Sequence, residues 1–136
     1  MNKTKEKVNA AIVIIGNEIL SGRTQDTNTS TISEWLNTIG IKVMESRAIP
    51  DIEKYIIDTV NELRNKYNYV FTTGGIGPTH DDITAESISK AFKVKYEYHK
   101  EAFRILENYY GKLNFNDGRK KMAKMPRGAK LIYNPS

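Results

Sequence analysis

The sequence predicts an α/β fold built on a mainly parallel sheet, and three observations carry that expectation. Ala10 to Ile15 is an unbroken apolar run that stops at Gly16, the pattern of a strand covered on both faces. Segments with apolar residues at helical spacing follow the strand-like runs, and such alternation builds parallel crossover units. The short run Tyr69 to Thr73 ends in Gly74-Gly75-Ile76-Gly77-Pro78, and in parallel sheets ligands bind beyond the carboxyl ends of the strands.

In chain order, Ala10 to Ile15 reads as the first central strand, followed by a polar loop. Ile32, Trp35, Leu36 and Ile39 then fall on one helical stripe, with Gly40 as the stop; on that stripe Trp35 is expected in the core. Lys42 to Ile49 reads as a second strand, after which Pro50-Asp51 opens a helix with Ile52, Ile56, Val60, Leu63 and Tyr67 on its apolar side. Asp51 stands where an N-cap is wanted. Tyr69 to Thr73 is the third strand, and Thr84 is placed to cap a helix reaching about Phe92. After the short Val94 to Tyr96 segment, a helix marked by Ala102, Ile105, Leu106 and Tyr109 and a last strand at Lys130 to Tyr133 complete the series.

The chain has 136 residues, enough for one domain spanning 1–136 with a core of its own. It contains no cysteine, which excludes thiol chemistry. No apolar run approaches the ~20 residues of a membrane span, and MNKTKEKVN leads into too short an apolar stretch for a secretory signal, so a cytoplasmic location is expected. The formal net charge is +5, and it is unevenly placed: all 16 acidic residues lie at or before Asp117. Beyond it come Arg119, Lys120, Lys121, Lys124, Arg127 and Lys130. Such a segment suits a phosphate or diphosphate, or is a solvated face. Its one aromatic is Tyr133, so base stacking has little support and nucleic acid is not the expected partner.

Three loops should meet at the carboxyl rim: Gly16 to Asn28, Pro50-Asp51 and Gly74 to Thr84. They bring Glu18, Asp26, Asp51, Asp81 and Asp82 to one edge, a concentration of negative charge that would repel an anionic ligand unless a cation joins it. Mg²⁺ suits such a rim, because it takes one or two carboxylates and keeps positions for water and a substrate phosphate. The glycines let backbone N–H groups approach the same phosphate. Each residue also has a plain structural reading: Asp51 as a helix cap, Asp81 and Asp82 as first-turn helix charges, His80 as an exposed loop histidine, the glycines as turn residues.

Thr72-Thr73-Gly74-Gly75-Ile76-Gly77-Pro78-Thr79-His80-Asp81-Asp82-Ile83-Thr84 resembles the signature of the MoaB/Mog molybdopterin-binding family. The first loop is similar to the CinA (competence/damage-inducible protein A) amino-terminal branch, and the likeness runs from about Ala10 to Pro135, including Arg119-Lys120 and Pro126-x-Gly128-Ala129. The resemblance implies a three-layer α/β/α sandwich, often trimeric, that binds a pterin or nucleotide diphosphate at the rim. The family pattern continues beyond Asn134-Pro135, so the resemblance also implies a domain lacking its carboxyl-terminal part, either a fragment or a trimmed variant.

By motif position Asp51 and Asp82 match two functionally important family aspartates, and the resemblance makes them the expected catalytic and metal-holding pair. The expected ligand-binding set is Gly16, Glu18, Ser21, Gly22 and Asn28 from the first loop, Thr73, Gly74, Gly75, Gly77, Pro78, Thr79, Asp81 and Thr84 from the third, and Arg119 and Lys120 from the basic segment. For the CinA branch the implied activity is metal-dependent hydrolysis of ADP-ribose-type diphosphates, with Mg²⁺ or another divalent metal. Molybdopterin adenylyl transfer and a non-catalytic binding module are the alternatives.

Overall fold

The computed structural model describes residues 8–132. Three parallel strands, β1 (Asn9–Ile15), β2 (Lys42–Ile49) and β3 (Tyr69–Thr73), form a sheet in the order β2-β1-β3. Between β1 and β2 come the short α1 (Asn17–Leu20) and α2 (Asn28–Thr38), and α3 (Glu53–Lys66) joins β2 to β3. After β3 follow α4 (Thr84–Phe92), β4 (Tyr96–Tyr98), α5 (Lys100–Tyr110), α6 (Asp117–Lys121) and β5 (Lys124–Pro126). β4 and β5 pair antiparallel as a separate two-stranded sheet.

The central position of β1 explains its composition. Ala10 to Ile15 are all buried, and successive side chains point to opposite faces. Ala11, Val13 and Ile15 join Ile56, Val60 and Leu63 of α3 and Ala91 of α4 in one core cluster. Each large aliphatic side chain so buried contributes roughly 1.5–3 kcal/mol. The helix stripe predicted around Ile56, Val60 and Leu63 is therefore the face that α3 lays on the sheet. Arg47 of β2 reaches both Glu45 and Glu62, tying the edge strand to α3.

Several expectations are corrected. Trp35 is 60% exposed and Ile39 is exposed as well, while Leu36 alone in α2 is buried; the stripe is helical, but little of it faces the sheet. Lys130 to Ile132 form no strand, and the strand of this region is Lys124–Pro126, paired with Tyr96–Tyr98 rather than with the parallel sheet. Tyr133, the Asn134-Pro135 end and the first seven residues lie outside the described residues. No helix among the described residues is long and apolar enough to cross a membrane.

Candidate functional site

The register of the sheet assembles the rim. Ile15 pairs with Ile49 and Ile14 with Thr73, so the turns at Gly16, Pro50 and Gly74 emerge side by side. Gly16 N–H donates to Ile49 O at 3.1 Å, and Asp51 N–H donates to Asn17 Oδ1 at 3.2 Å. Gly74 has φ +92°, and a Cβ there would stand 2.0 Å from Ile15 O. The loop thus crosses β1 in direct backbone contact, a path open to glycine alone. Gly75 is also left-handed (φ +67°), and its missing Cβ would strike Thr84 Oγ1 at 2.2 Å.

Thr84 does not cap α4, whose N-cap is Ile83 without a side-chain bond. Its buried hydroxyl donates to Gly74 O at 2.9 Å, and its N–H donates to Gly75 O at 3.1 Å. Both bonds pin the glycine turn to the start of α4. Asp82 braces the same loop: its Oδ2 accepts from Thr79 N–H at 2.9 Å and from Thr79 hydroxyl at 2.7 Å. Burial pushes the Asp82 carboxyl up, but these bonds, the Gly77 N–H and nearby Lys121 outweigh it and hold the pKa below the ordinary aspartate value. Lys121 completes the brace by donating to Asp82 O at 2.6 Å and to Thr79 O. Gly118 lets α6 come this close, since a Cβ there would meet Pro78 O at 2.8 Å.

Asp51 is the opposite case. It is not the α3 N-cap, which is Ile52, and its Oδ1 is buried without a hydrogen-bond partner. Burial first, then the charges of Asp82, Glu18 and Asp81, raise its pKa above the ordinary carboxylate value. A buried, unpartnered carboxylate oxygen surrounded by further carboxylates is unfavourable by itself. Such an oxygen is a donor of the kind that hard cations take. No three His, Asp or Glu side chains form a ready cage among the described residues, while Mg²⁺ is held by one or two carboxylates together with water and substrate oxygens.

Two clefts flank the glycine turn. One, of about 390 Å³, is lined by Asn17, Glu18, Arg23, Asp51, His80, Asp81 and Ile83. The other, of about 190 Å³, is lined by Gly75, Ile76, Gly77, Asp82, Ala85, Tyr96, Lys121, Met122, Lys124 and Met125. Gly75 belongs to the second cleft yet borders Asp51, for its absent Cβ would lie 3.6 Å from Asp51 Oδ1. A larger groove of about 460 Å³ lies between α2 and the free edge of β2, away from the rim.

The expected site residues divide accordingly. Glu18 and Asp81 line the Asp51 cleft, Gly75, Gly77 and Asp82 line the second cleft, and Gly16, Thr73, Gly74, Pro78, Thr79 and Thr84 lie in the adjoining turns and element ends. Ser21 and Gly22 lie in the turn after α1, where Ser21 Oγ accepts from Arg23 Nε at 3.3 Å, and Asn28 begins α2. Asp26 binds the amides of Asn28 and Thr29 through Oδ1 at the start of that helix. Arg119 is engaged elsewhere, donating to Asn114 O at 2.7 Å with its guanidinium over Tyr110, and the Lys120 ammonium faces Phe115. Sequence reasoning missed Lys121 and Arg23 as site residues. Lys121 was legible only as one of six cations, because its partners lie about forty residues upstream.

Lys121→Met removes two bonds from a charged donor, each worth roughly 1.5–3 kcal/mol at most in partly buried settings. The expected result is faster amide exchange from Gly77 to Asp82 and a lowered melting temperature. Unchanged loop protection would show that the lysine does not hold the loop.

Residues 11–135 match the family described as the probable molybdopterin binding domain. A protein of Sulfurisphaera tokodaii is 39% identical over 128 residues, covering 92% of this chain and 49% of the relative. A protein of Caldivirga maquilingensis is 38% identical over 128 residues, covering 93% and 50%. The chain therefore spans about half the length of these curated relatives. Among solved structures, the protein CinA of unknown function from Thermoplasma acidophilum matches with a TM-score of 0.88 and 32% identity over 95% of this chain and 76% of that one. The molybdopterin biosynthesis enzyme MoaB of Thermus thermophilus matches with a TM-score of 0.58 and 22% identity, covering 73% and 64%, a likeness of fold.

Proposed function

The chain belongs to the probable molybdopterin binding domain family as a CinA-like member of the MoaB/Mog group, and from that premise we propose that its rim binds a nucleotide or pterin diphosphate and hydrolyses ADP-ribose-type substrates with Mg²⁺. The observation that carries the reading is the buried, unpartnered Oδ1 of Asp51 beside Gly75. Asp51 would hold the metal, with Glu18 and Asp81 close enough to add negative field. Bound there, Mg²⁺ supplies charge neutralisation and polarisation of phosphate oxygens.

The chain's own residues do the rest. Gly74 and Gly75 let the turn press against Ile15 O and Thr84 Oγ1, which sets its backbone at the rim where phosphate oxygens would lie. Asp82, Thr79 and Lys121 keep the turn in place, so the backbone geometry is prepared before ligand arrives. Asp82 acts as a positioning residue through its Oδ2, which accepts both bonds from Thr79. Arg23, in the Asp51 cleft, supplies a positive charge to a substrate phosphate.

In the reaction a water oxygen forms a bond to one phosphorus, the bridging P–O bond breaks, and AMP and ribose 5-phosphate are released as dianions with two protons. With a pterin phosphate in place of water, the same displacement would be adenylyl transfer; the likeness of the first loop to the CinA branch favours water. Incubating the chain with ADP-ribose, with Mg²⁺ and with EDTA, tests this. AMP should appear with Mg²⁺ and not with EDTA. Absence of AMP from folded protein that still binds ADP-ribose would leave a binding module instead.

A further inference from the structure

We propose that β2 is a dimerisation edge, along which a second copy of this chain pairs antiparallel about a two-fold axis at Ser46. Among the described residues nothing pairs with the outer edge of β2, an eight-residue strand at one end of the order β2-β1-β3. Such an edge offers a row of free N–H and C=O groups to another strand. No proline interrupts Lys42 to Ile49, and the single lysine stands at its first position. Ile49 pairs with Ile15, and its carbonyl accepts from Gly16 N–H, so Ile49 turns its polar backbone toward β1. Counting back along the pleat, Arg47 and Glu45 do the same, whereas Ala48 and Ser46 turn theirs outward. The groove of about 460 Å³ beside α2 keeps that edge open, and Met44 within it is 54% exposed.

The side chains select a second copy as the occupant, in one register. In an antiparallel pair, residues with outward backbone groups stand opposite one another and exchange both bonds. With the axis at Ser46, the two Ser46 residues do so, Glu45 faces the partner's Arg47, and Arg47 faces the partner's Glu45. These two are non-hydrogen-bonded pairs, in which facing side chains come closest. Met44 then meets the partner's Ala48, and Val43 the partner's Ile49. An axis one residue away, at Glu45 or at Arg47, would set that residue against its own copy, and like charges directly opposite are destabilising. Both charged side chains are held in place beforehand: Arg47 is bridged to Glu45 and Glu62, and the Tyr67 hydroxyl donates to Glu45 Oε1 at 2.7 Å. An edge paired with itself about a two-fold axis closes as a dimer. The paired strands run in opposite directions, so the two Asp51 rims lie at opposite ends of the joined sheet and stay open.

Sedimentation equilibrium of the chain tests this, and the mass should rise with concentration from 15.5 kDa to twice that value. Ser46→Pro removes the central outward donor, a change that an unpaired strand edge tolerates, and should leave the chain folded and monomeric. Glu45→Arg and Arg47→Glu, each alone, set like charges opposite one another and should weaken self-association by about tenfold or more. Mixed in equal amounts, these two variants place every charge opposite its complement, and the dimer should return. Thermal melts verify that each variant is folded. A parent chain that stays monomeric up to its solubility limit overturns the self-pairing and leaves the edge to an extended segment of a different protein. A dimer or trimer that survives Ser46→Pro and both charge variants also overturns it, by placing the interface elsewhere. Charge variants that dissociate the dimer but fail to reassociate when mixed overturn the Ser46 register. The pairing uses no rim residue, so its outcome is independent of the hydrolysis reading.

Discussion

Gly74→Ala is expected to destabilise the fold by about 2–5 kcal/mol, the sum of a left-handed backbone penalty and a steric one. Gly74 has φ +92°, and the new methyl carbon would stand 2.0 Å from Ile15 O, a backbone atom at the buried end of β1. Neither partner can yield: the carbonyl belongs to the central strand, and the turn is fixed behind it by the Thr84 bonds to Gly74 O and Gly75 O. Gly22→Ala is the matched comparison, since Gly22 has φ +80° but nothing within 4 Å of its Cβ position. It should lose only the backbone part, about 1–2 kcal/mol. Urea unfolding of the two variants measures the difference. Equal losses would mean that the turn does not pass against β1 as described.

How much of this could be read from the sequence depends on how local each cause is. β2 and β3 follow from their own apolar residues and flanking turns, and the rim follows from three strands ending together. The glycine turn was legible because positive φ and close approach both require glycine. What failed was non-local. The N–H of Asp51 is satisfied by Asn17, and its carboxylate is left over, a fact that depends on a loop 34 residues away. Trp35 obeys the helical period, yet periodicity does not say which part of a stripe meets another layer. The β4–β5 pairing replaces the strand predicted after Pro126, since three-residue strands carry no periodic signal.

Asp82 and Asp51 illustrate the same point in chemistry. By motif they were a matched pair of metal-holding carboxylates. In the structure Asp82 Oδ2 accepts two bonds from Thr79 and the Asp82 pKa is lowered, while Asp51 Oδ1 has no partner and the Asp51 pKa is raised. The Oδ2 of Asp82 braces the loop, and Oδ1 of Asp51 is the carboxylate oxygen left without a partner.

Asp51→Asn should therefore move stability and activity in opposite directions. The folded-state pKa of Asp51 lies above its unfolded value of 3.8, so the folded protein binds this proton more tightly and loses stability as pH rises through the interval between the two values. Above that interval the full penalty is present. Asparagine removes it, so without metal the variant should melt higher than the parent chain at neutral pH, and the gap should close as the pH falls below the ordinary carboxylate range. Mg²⁺ should raise the melting temperature of the parent, because a ligand that binds the folded state alone stabilises it, and should leave Asp51→Asn nearly unmoved. AMP release by the variant should fall by about 100-fold or more, the loss expected when a carboxylate that anchors a catalytic cation is removed. A variant that melts lower than the parent at neutral pH would assign Asp51 a structural role, and one that keeps the parent's Mg²⁺ response would remove it from the metal site.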